Sequence, residues 1–264
     1  MQKHTFQHNQ LTFSYLDSGG DGPVIIALHA HWMEGVTFTP LATALKPQWR
    51  VIALDQRRHG HSDHAATYTR DDYLSDLAAF LEHLNLQKPI VQKPIVLLGN
   101  SLGGVNAYHF AARYPALVRA MIIEDIGAEI SVGVNFSLNW AGTFKAREEL
   151  VQCVGLRLLP CLQDSFRQTD GGWRLAFNPQ EIVTSINLTN GNHWKEWLAT
   201  DCPALLIRGQ DSRVTTQTHC EQMALRRPNT RLSILEGGHV VHADNPTGFA
   251  EVVRAFLQEL KPST

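Results

Sequence analysis

The residues Gly99-Asn100-Ser101-Leu102-Gly103-Gly104 fit the pattern G-x-S-x-G and decide the fold prediction. A continuous apolar run at 95–98 precedes them, and a helix-compatible run at 105–113 follows. A serine at the apex of such a strand-to-helix turn has a strained backbone, and the flanking glycines leave room for the adjoining elements. The turn exposes the hydroxyl and directs the first amides of the helix at whatever the hydroxyl attacks. We therefore predict that Ser101 is a nucleophile.

A phosphate-binding turn is the main alternative for a glycine-rich segment at this place. The spacing within 99–104 does not fit G-x-G-x-x-G, and no lysine follows as in a P-loop. A chance match to a short pattern is the other alternative. The strand before the serine and the helix-compatible run after it argue against chance.

Short apolar runs alternate with longer helical segments along most of the chain. This alternation predicts an α/β fold with a mostly parallel sheet, flanked by helices on both faces. The runs that indicate strands lie at 11–15, 24–28, 51–54, 95–98, 120–123, 204–207 and 232–235. Apolar residues at helical spacing indicate helices at 73–86 and 249–260.

Residues 128–200 interrupt this alternation. They show no clear strand, contain four tryptophans among polar helical stretches, and are too many for an ordinary loop. We predict that they form a helical cap over the active-site edge of a core made of residues 1–127 and 201–264.

The sequence Gln-Lys-Pro-Ile-Val occurs twice in tandem, at 87–91 and 92–96. Proline suits the first position of a strand but not its interior. We therefore expect Pro94 of the second copy to enter the strand before Ser101, and the first copy to form a longer loop. A duplication explains the repeat more simply than a functional role.

A serine nucleophile needs a general base and an orienting acid, in the order Ser, acid, His. Gly237-Gly238-His239 closes the last predicted strand and precedes the C-terminal helix, which places His239 on the loop facing Ser101. Its position selects it, because the chain has 13 histidines. We expect His242 to be a lid or surface residue.

The chain resembles the α/β-hydrolase superfamily, and the matching features are found toward both of its ends. The matching positions are His29 after the third strand, residues 55–62 after the fourth, the Ser101 turn, and residues 238–246. The resemblance implies the α/β-hydrolase fold, with a mostly parallel eight-stranded sheet, and serine esterase chemistry. It also implies that residues 55–62 shape the core beside the site rather than take part in catalysis.

The resemblance further implies an oxyanion hole made by the backbone amides of His31 and Leu102. The family usually has His-Gly where this chain has His29-Ala30, and alanine restricts that turn slightly. A second departure is Arg58, where glycine is usual.

Two aspartates compete for the role of the orienting acid. Most relatives carry the acid as the last residue of G-x-x-D after the seventh strand, but here Ser212 occupies that place and Asp211 stands one residue early. Asp125 follows the sixth strand, and a branch of the superfamily with Arg-Gly-x-x-Ser after the seventh strand has its acid there. We assign the acid to Asp125 and keep Asp211 as the alternative. Either could instead only cap the turn after its strand.

The composition is that of an ordinary soluble protein, with 23 basic and 25 acidic residues and a net charge of −2. That balance favours neither nucleic acid nor an anionic membrane as partner. The start of the chain is too polar for a signal peptide, and the four cysteines lack zinc-site spacing. We expect a cytoplasmic monomer or homodimer without cofactor or metal.

Hydrolysis of small carboxylic esters is the leading functional hypothesis, because it needs only the Ser101, His239 and acid set with an oxyanion hole. Lactones, thioesters and hydrolytically cleaved C–C bonds use the same residues. Cofactor-free dioxygenation is an alternative that His31 keeps open, since some relatives use the His–Asp pair to deprotonate an aromatic substrate. A non-catalytic ligand receptor on the same fold is the third possibility.

Overall fold

Eight strands form one sheet in the computed structural model of the protein, which describes residues 1–86 and 94–260. They are β1 (Gln2–His8), β2 (Leu11–Asp17), β3 (Val24–Leu28), β4 (Arg50–Leu54), β5 (Ile95–Asn100), β6 (Val118–Glu124), β11 (Ala204–Gly209) and β12 (Thr230–Leu235). Four short strands outside this sheet are β7 (Glu129–Ile130), β8 (Phe166–Thr169), β9 (Gly172–Leu175) and β10 (Gly191–Asn192).

The order across the sheet is β1-β2-β4-β3-β5-β6-β11-β12. Strands β4 to β12 along this order pair in parallel, while β1 and β2 pair antiparallel with their neighbours. The mostly parallel eight-stranded sheet predicted from the sequence is therefore confirmed. Strand β1 gave no signal in the sequence because it lies at the edge and buries little more than Phe6.

Helices cover both faces of the sheet, as a parallel sheet buried on both sides requires. They are α1 (Thr39–Leu45), α2 (Arg70–His83), α3 (Leu102–Arg113), α4 (Arg147–Val154), α5 (Leu159–Leu162), α6 (Pro179–Thr189), α7 (Trp194–Trp197), α8 (Gln217–Arg226), α9 (Val241–Asp244) and α10 (Pro246–Glu259). Alternate residues of one strand pack into different clusters. Ile26 and Leu28 join the cluster under α2, α3 and α8, whereas Ile25 and Ala27 join the cluster under α1 and α10.

The segment from 128 to 200 has a small hydrophobic cluster of its own, in which Trp140, Leu150, Phe166 and Ile186 take part. It contains α4 to α7, but β8 and β9 also pair there as an antiparallel hairpin. The expectation of a segment without strands is therefore wrong in this respect. Each of these strands is only four residues long and buries a single residue, Phe166 or Leu175, so neither contains an apolar run.

Pro94 directly precedes β5, as expected for the second copy of the tandem repeat. The first copy and the start of the second, residues 87–93, lie outside the described residues. Within 1–86 and 94–260, no helix combines the length and the apolar character that crossing a membrane requires.

Candidate active site

Ser101 lies between the end of β5 and the start of α3, with φ +52° and ψ −113°. A non-glycine residue with this backbone conformation is strained, and such strain persists only where the surroundings hold it. The Ser101 N–H donates to Glu124 O at 3.0 Å, which ties the turn to the end of β6. The structure therefore has the strand-to-helix turn that the sequence predicts.

Close backbone contacts explain the glycines on either side of the serine. A Cβ at Gly103 would lie 2.0 Å from Leu28 O in β3, and one at Gly99 would lie 2.2 Å from the carbonyl carbon of Gly103. Any side chain at either position would push α3 away from the sheet. The two glycines thus let α3 start directly against the ends of β5 and β3.

His239 lies in the loop between β12 and α9 and contacts Asp125 at the end of β6. Its Nδ1 is 2.7 Å from Asp125 Oδ2. Because a carboxylate only accepts hydrogen bonds, Nδ1 carries the proton, which leaves Nε2 of the neutral ring able to accept one. Asn100 Nδ2 donates to His239 O at 3.1 Å, so the His239 loop is held against the residue before Ser101.

Asp125 is completely buried and its carboxylate accepts two further hydrogen bonds. Gly209 N donates to Oδ1 at 3.0 Å, and Ser212 Oγ donates to Oδ2 at 2.5 Å. The carboxylate is therefore satisfied and fixed in direction. Asp211 is exposed, and its backbone N–H donates to Gly237 O at 2.9 Å. The structure brings Asp125, rather than Asp211, into contact with His239.

Ser212 and Gly209 are site residues that sequence reasoning missed. Ser212 stands where the commonest pattern has the acid, and its hydroxyl instead donates to Asp125, the residue that follows β6. A Cβ at Gly209 would lie 1.9 Å from Gly238 O, so this glycine allows the His239 loop to approach the end of β11. The sequence contains Arg208-Gly209 followed by Ser212, a pattern of the branch whose acid follows the sixth strand. The pattern does not reveal the contacts that these residues make.

The proposed oxyanion residues His31 and Leu102 respectively follow β3 and begin α3, two elements that contact each other where Gly103 meets Leu28. Leu102 is the first residue of α3, and the first amides of a helix have no partner within it. His31 lies in the loop after β3. Hydrogen bonds between His29 and Gln56 hold this loop in place. His29 Nε2 accepts from Gln56 N at 2.9 Å, and Gln56 Nε2 donates to His29 O at 2.7 Å.

Both histidines of this loop are neutral at pH 7. Burial lowers the pKa of His29 to about 4. Burial, and then the neighbouring His59, hold the pKa of His31 well below its usual value. The His31 ring is hydrogen-bonded through Nε2 to Ser185 Oγ at 2.9 Å. The neutral His31 ring therefore adds no charge to this loop.

The 128–200 segment packs directly on the loop after β3. Ser165 Oγ donates to Trp32 O at 2.7 Å, and the Trp32 ring lies edge-on to Trp140 with 5.2 Å between ring centroids. Together with the bond from Ser185 to His31, these contacts place the segment beside the loop that holds the proposed oxyanion donor.

A second buried carboxylate–imidazole pair lies beside the first. His242 Nδ1 is 2.7 Å from Glu124 Oε2, the His242 N–H donates to Glu124 Oε1 at 2.9 Å, and Thr37 Oγ1 is 2.8 Å from His242 Nε2. His242 is only 3% exposed, so its prediction as a lid or surface residue is wrong. His242 lies three residues after His239, in the short helix α9. This helix directs the ring toward Glu124 at the end of β6.

Replacing Glu124 with glutamine is expected to destabilise the protein by about 3 kcal/mol, because an amide N–H₂ would face the donors of His242 in a buried place. Urea unfolding followed by circular dichroism measures the change. Glu236→Gln is the matched control, since Glu236 is exposed in the same region of the chain. Equal unfolding midpoints for the two variants would contradict the structural role of the Glu124–His242 pair.

Comparison with known proteins finds a family model and several hydrolases that are similar to this chain. The family model described as "Alpha/beta hydrolase family" matches residues 24–252. The chain is 24% identical over 255 residues to the 2-(acetamidomethylene)succinate hydrolase of Mesorhizobium japonicum, covering 90% of this chain and 89% of that protein. It is 26% identical over 271 residues to the sn-1-specific diacylglycerol lipase ABHD11 of Mus musculus, covering 94% and 85%.

Solved structures show the same fold. The crystal structure of E-2-(acetamidomethylene)succinate hydrolase matches with a TM-score of 0.84 at 21% identity, over 97% of this chain and 99% of that one. This agreement extends through the 128–200 segment as well as the sheet, because it covers nearly the whole of both chains.

Proposed function

Because the chain belongs to the α/β-hydrolase family, we propose that it is a serine hydrolase that cleaves small carboxylic esters through an acyl-enzyme intermediate. The observation that carries the proposal is the contact of His239 with Asp125, held against the strained turn at Ser101. The assignment of Ser101, His239 and Asp125 as nucleophile, base and orienting acid is part of this proposal.

The first half-reaction forms the acyl-enzyme. Ser101 Oγ attacks the carbonyl carbon of the ester while its proton passes to His239 Nε2. Asp125 keeps Nδ1 protonated and stabilises the imidazolium that results. The tetrahedral intermediate then collapses, the C–O bond to the alcohol breaks, and the alcohol leaves with the proton from His239.

The second half-reaction releases the acid. Water gives a proton to His239 and attacks the acyl carbon, and the bond to Ser101 Oγ breaks as the serine recovers its proton. In both steps the amides of His31 and Leu102 would donate to the oxygen that becomes negative. One such donor is worth about 3–4 kcal/mol in comparable sites.

Substrate choice is proposed to lie with the 128–200 segment, acting as a cap, because it contacts the loop of His31 through Ser185 and Ser165. Tryptophan and phenylalanine are frequent in its cluster, which favours an apolar acyl or alcohol group. A small-molecule ester as substrate and a cytoplasmic monomer or homodimer complete the proposal.

A panel of p-nitrophenyl esters from acetate to palmitate, run beside lactones and a thioester, tests the ester preference. We expect the highest kcat/KM on a short or medium acyl ester. Faster turnover of the lactones or the thioester would contradict the ester preference, and would identify the protein as a serine hydrolase of that other substrate class. Oxygen uptake with an aromatic substrate, or binding without turnover of any compound, would contradict the proposed hydrolase activity.

A further inference from the structure

Two histidines and a glutamate meet where α3 contacts the 128–200 segment. His109 is on α3, His193 immediately precedes α7, and Glu196 is within α7. One ligand atom from each lies within 4.8 Å of the other two. The sequence does not reveal this cluster, because 84 residues separate His109 from His193.

The two imidazole rings lie edge-on to each other, with one nitrogen of each ring close to the other. His109 Nε2 lies 3.0 Å from His193 Nδ1. Two histidine nitrogens bound to one Zn²⁺ at about 2.0–2.1 Å and a tetrahedral angle lie about 3.3 Å apart. Binding one ion therefore requires the two nitrogens to separate by a few tenths of an ångström and both rings to tilt, so that their lone pairs point at the ion rather than along the line between the rings.

The partner of the other ring nitrogen prepares His193 as a ligand. His193 Nε2–H donates to Thr189 O at 2.9 Å, so the lone pair is on Nδ1, the atom that faces His109. A hydrogen bond from the second nitrogen to a backbone carbonyl is the usual way in which proteins orient metal-binding histidines. His193 is also fixed through its backbone, since its N–H donates to Ala128 O at 2.7 Å.

The packing of the His109 ring, the position of Glu196 and partial exposure also suit a metal site. Tyr108 stacks on the His109 ring with 5.4 Å between centroids and restricts its rotation. Glu196 follows His193 by three residues, so one helical turn brings its carboxylate to the same side. All three residues are half-buried, which leaves a path from solvent for an ion.

We propose that His109, His193 and Glu196 bind one Zn²⁺ ion, which fixes the end of the 128–200 segment to α3. In the metal-free protein, His109 Nε2–H donates to His193 Nδ1. Moving that proton to His109 Nδ1 frees the second ligand nitrogen. His109 lies two helical turns beyond Ser101, about 12 Å along α3, so the site is separate from the proposed ester chemistry.

Isothermal titration calorimetry of the full chain with ZnCl₂, after removal of metals with EDTA and dialysis, tests the site. We expect one Zn²⁺ per chain and a raised thermal midpoint in its presence. His109→Ala and His193→Ala should each weaken binding by at least about 100-fold, since each removes a direct ligand. His61→Ala, at an exposed histidine elsewhere, should bind as the unchanged protein does.

The half-buried thiols of Cys153, Cys161 and Cys202 are the competing ligands that a control must separate. Titration with Co²⁺ does so, because thiolate ligands add a sulfur-to-cobalt charge-transfer band that nitrogen and oxygen ligands lack. Ligand-field absorption without the charge-transfer band supports the proposal. The ligand-field absorption should be lost in His193→Ala. No binding, binding unchanged in the His109 and His193 variants, or a thiolate band would each overturn the proposal. The circular dichroism spectra of the variants establish that they are folded.

Discussion

Replacing Ser101 with alanine is expected to lower kcat/KM for p-nitrophenyl acetate by about 10⁴ to 10⁶, the range for loss of a nucleophile that acts together with its base. Alanine cannot form the acyl-enzyme, while the turn, the His239–Asp125 contact and the helix amides remain in place. Steady-state hydrolysis, with stopped-flow detection of any initial burst, measures both the rate and the loss of the covalent step.

Ser131→Ala is the matched control for this variant, because Ser131 is exposed and lies in the 128–200 segment. It should hydrolyse the ester at the rate of the unchanged protein. Thermal midpoints for both variants exclude unfolding as the cause of a loss. If Ser101→Ala kept more than a tenth of the activity, the hydroxyl of Ser101 would not be the nucleophile.

Replacing Asp125 with asparagine is expected to lower kcat by about 10⁴, because an amide no longer holds the proton on His239 Nδ1. The amide can donate its N–H to the ring, which places the proton on the nitrogen that should face Ser101. Ester hydrolysis measured against pH shows the effect. The loss should persist from neutral to mildly alkaline pH, since the wrong tautomer is not corrected by deprotonation.

Asp211→Asn provides the comparison that separates the two candidate acids. Asp211 is exposed and only its backbone takes part in the bond to Gly237 O, so its amide variant should keep nearly full activity. Loss of activity in Asp211→Asn with retention in Asp125→Asn would reverse the assignment. Ser212→Ala should lower the activity less than Asp125→Asn does, because it removes only one of three hydrogen bonds to the Asp125 carboxylate.

The sheet and its central turn could be predicted from the sequence because their signals are local. The run before Ser101 becomes β5, which is buried along its whole length, and the glycines are needed for contacts within one strand-turn-helix unit. His239 could be selected by its place after the last strand. These features depend on which residues follow one another, and a sequence shows that directly.

Contacts between distant segments could not be predicted in the same way. Nothing local to Ser212 or Gly209 indicates that they bind Asp125, since the meeting of β6 with β11 is a property of strand order. The short helix α9 directs His242 onto Glu124, a contact between residues 118 positions apart that the sequence does not show. The β8–β9 hairpin buries only one residue in each strand, so burial did not impose an apolar pattern on it.

Labelling with a fluorophosphonate, followed by intact-mass measurement and peptide mapping, tests the central proposal most directly. Such a probe phosphonylates a serine only when a neighbouring base activates it. We predict a single adduct per chain on Ser101, absent after heat denaturation and strongly slowed in His239→Ala. No adduct under conditions that label a known serine esterase, or an adduct on another residue, would contradict the assignment of Ser101 as the activated nucleophile.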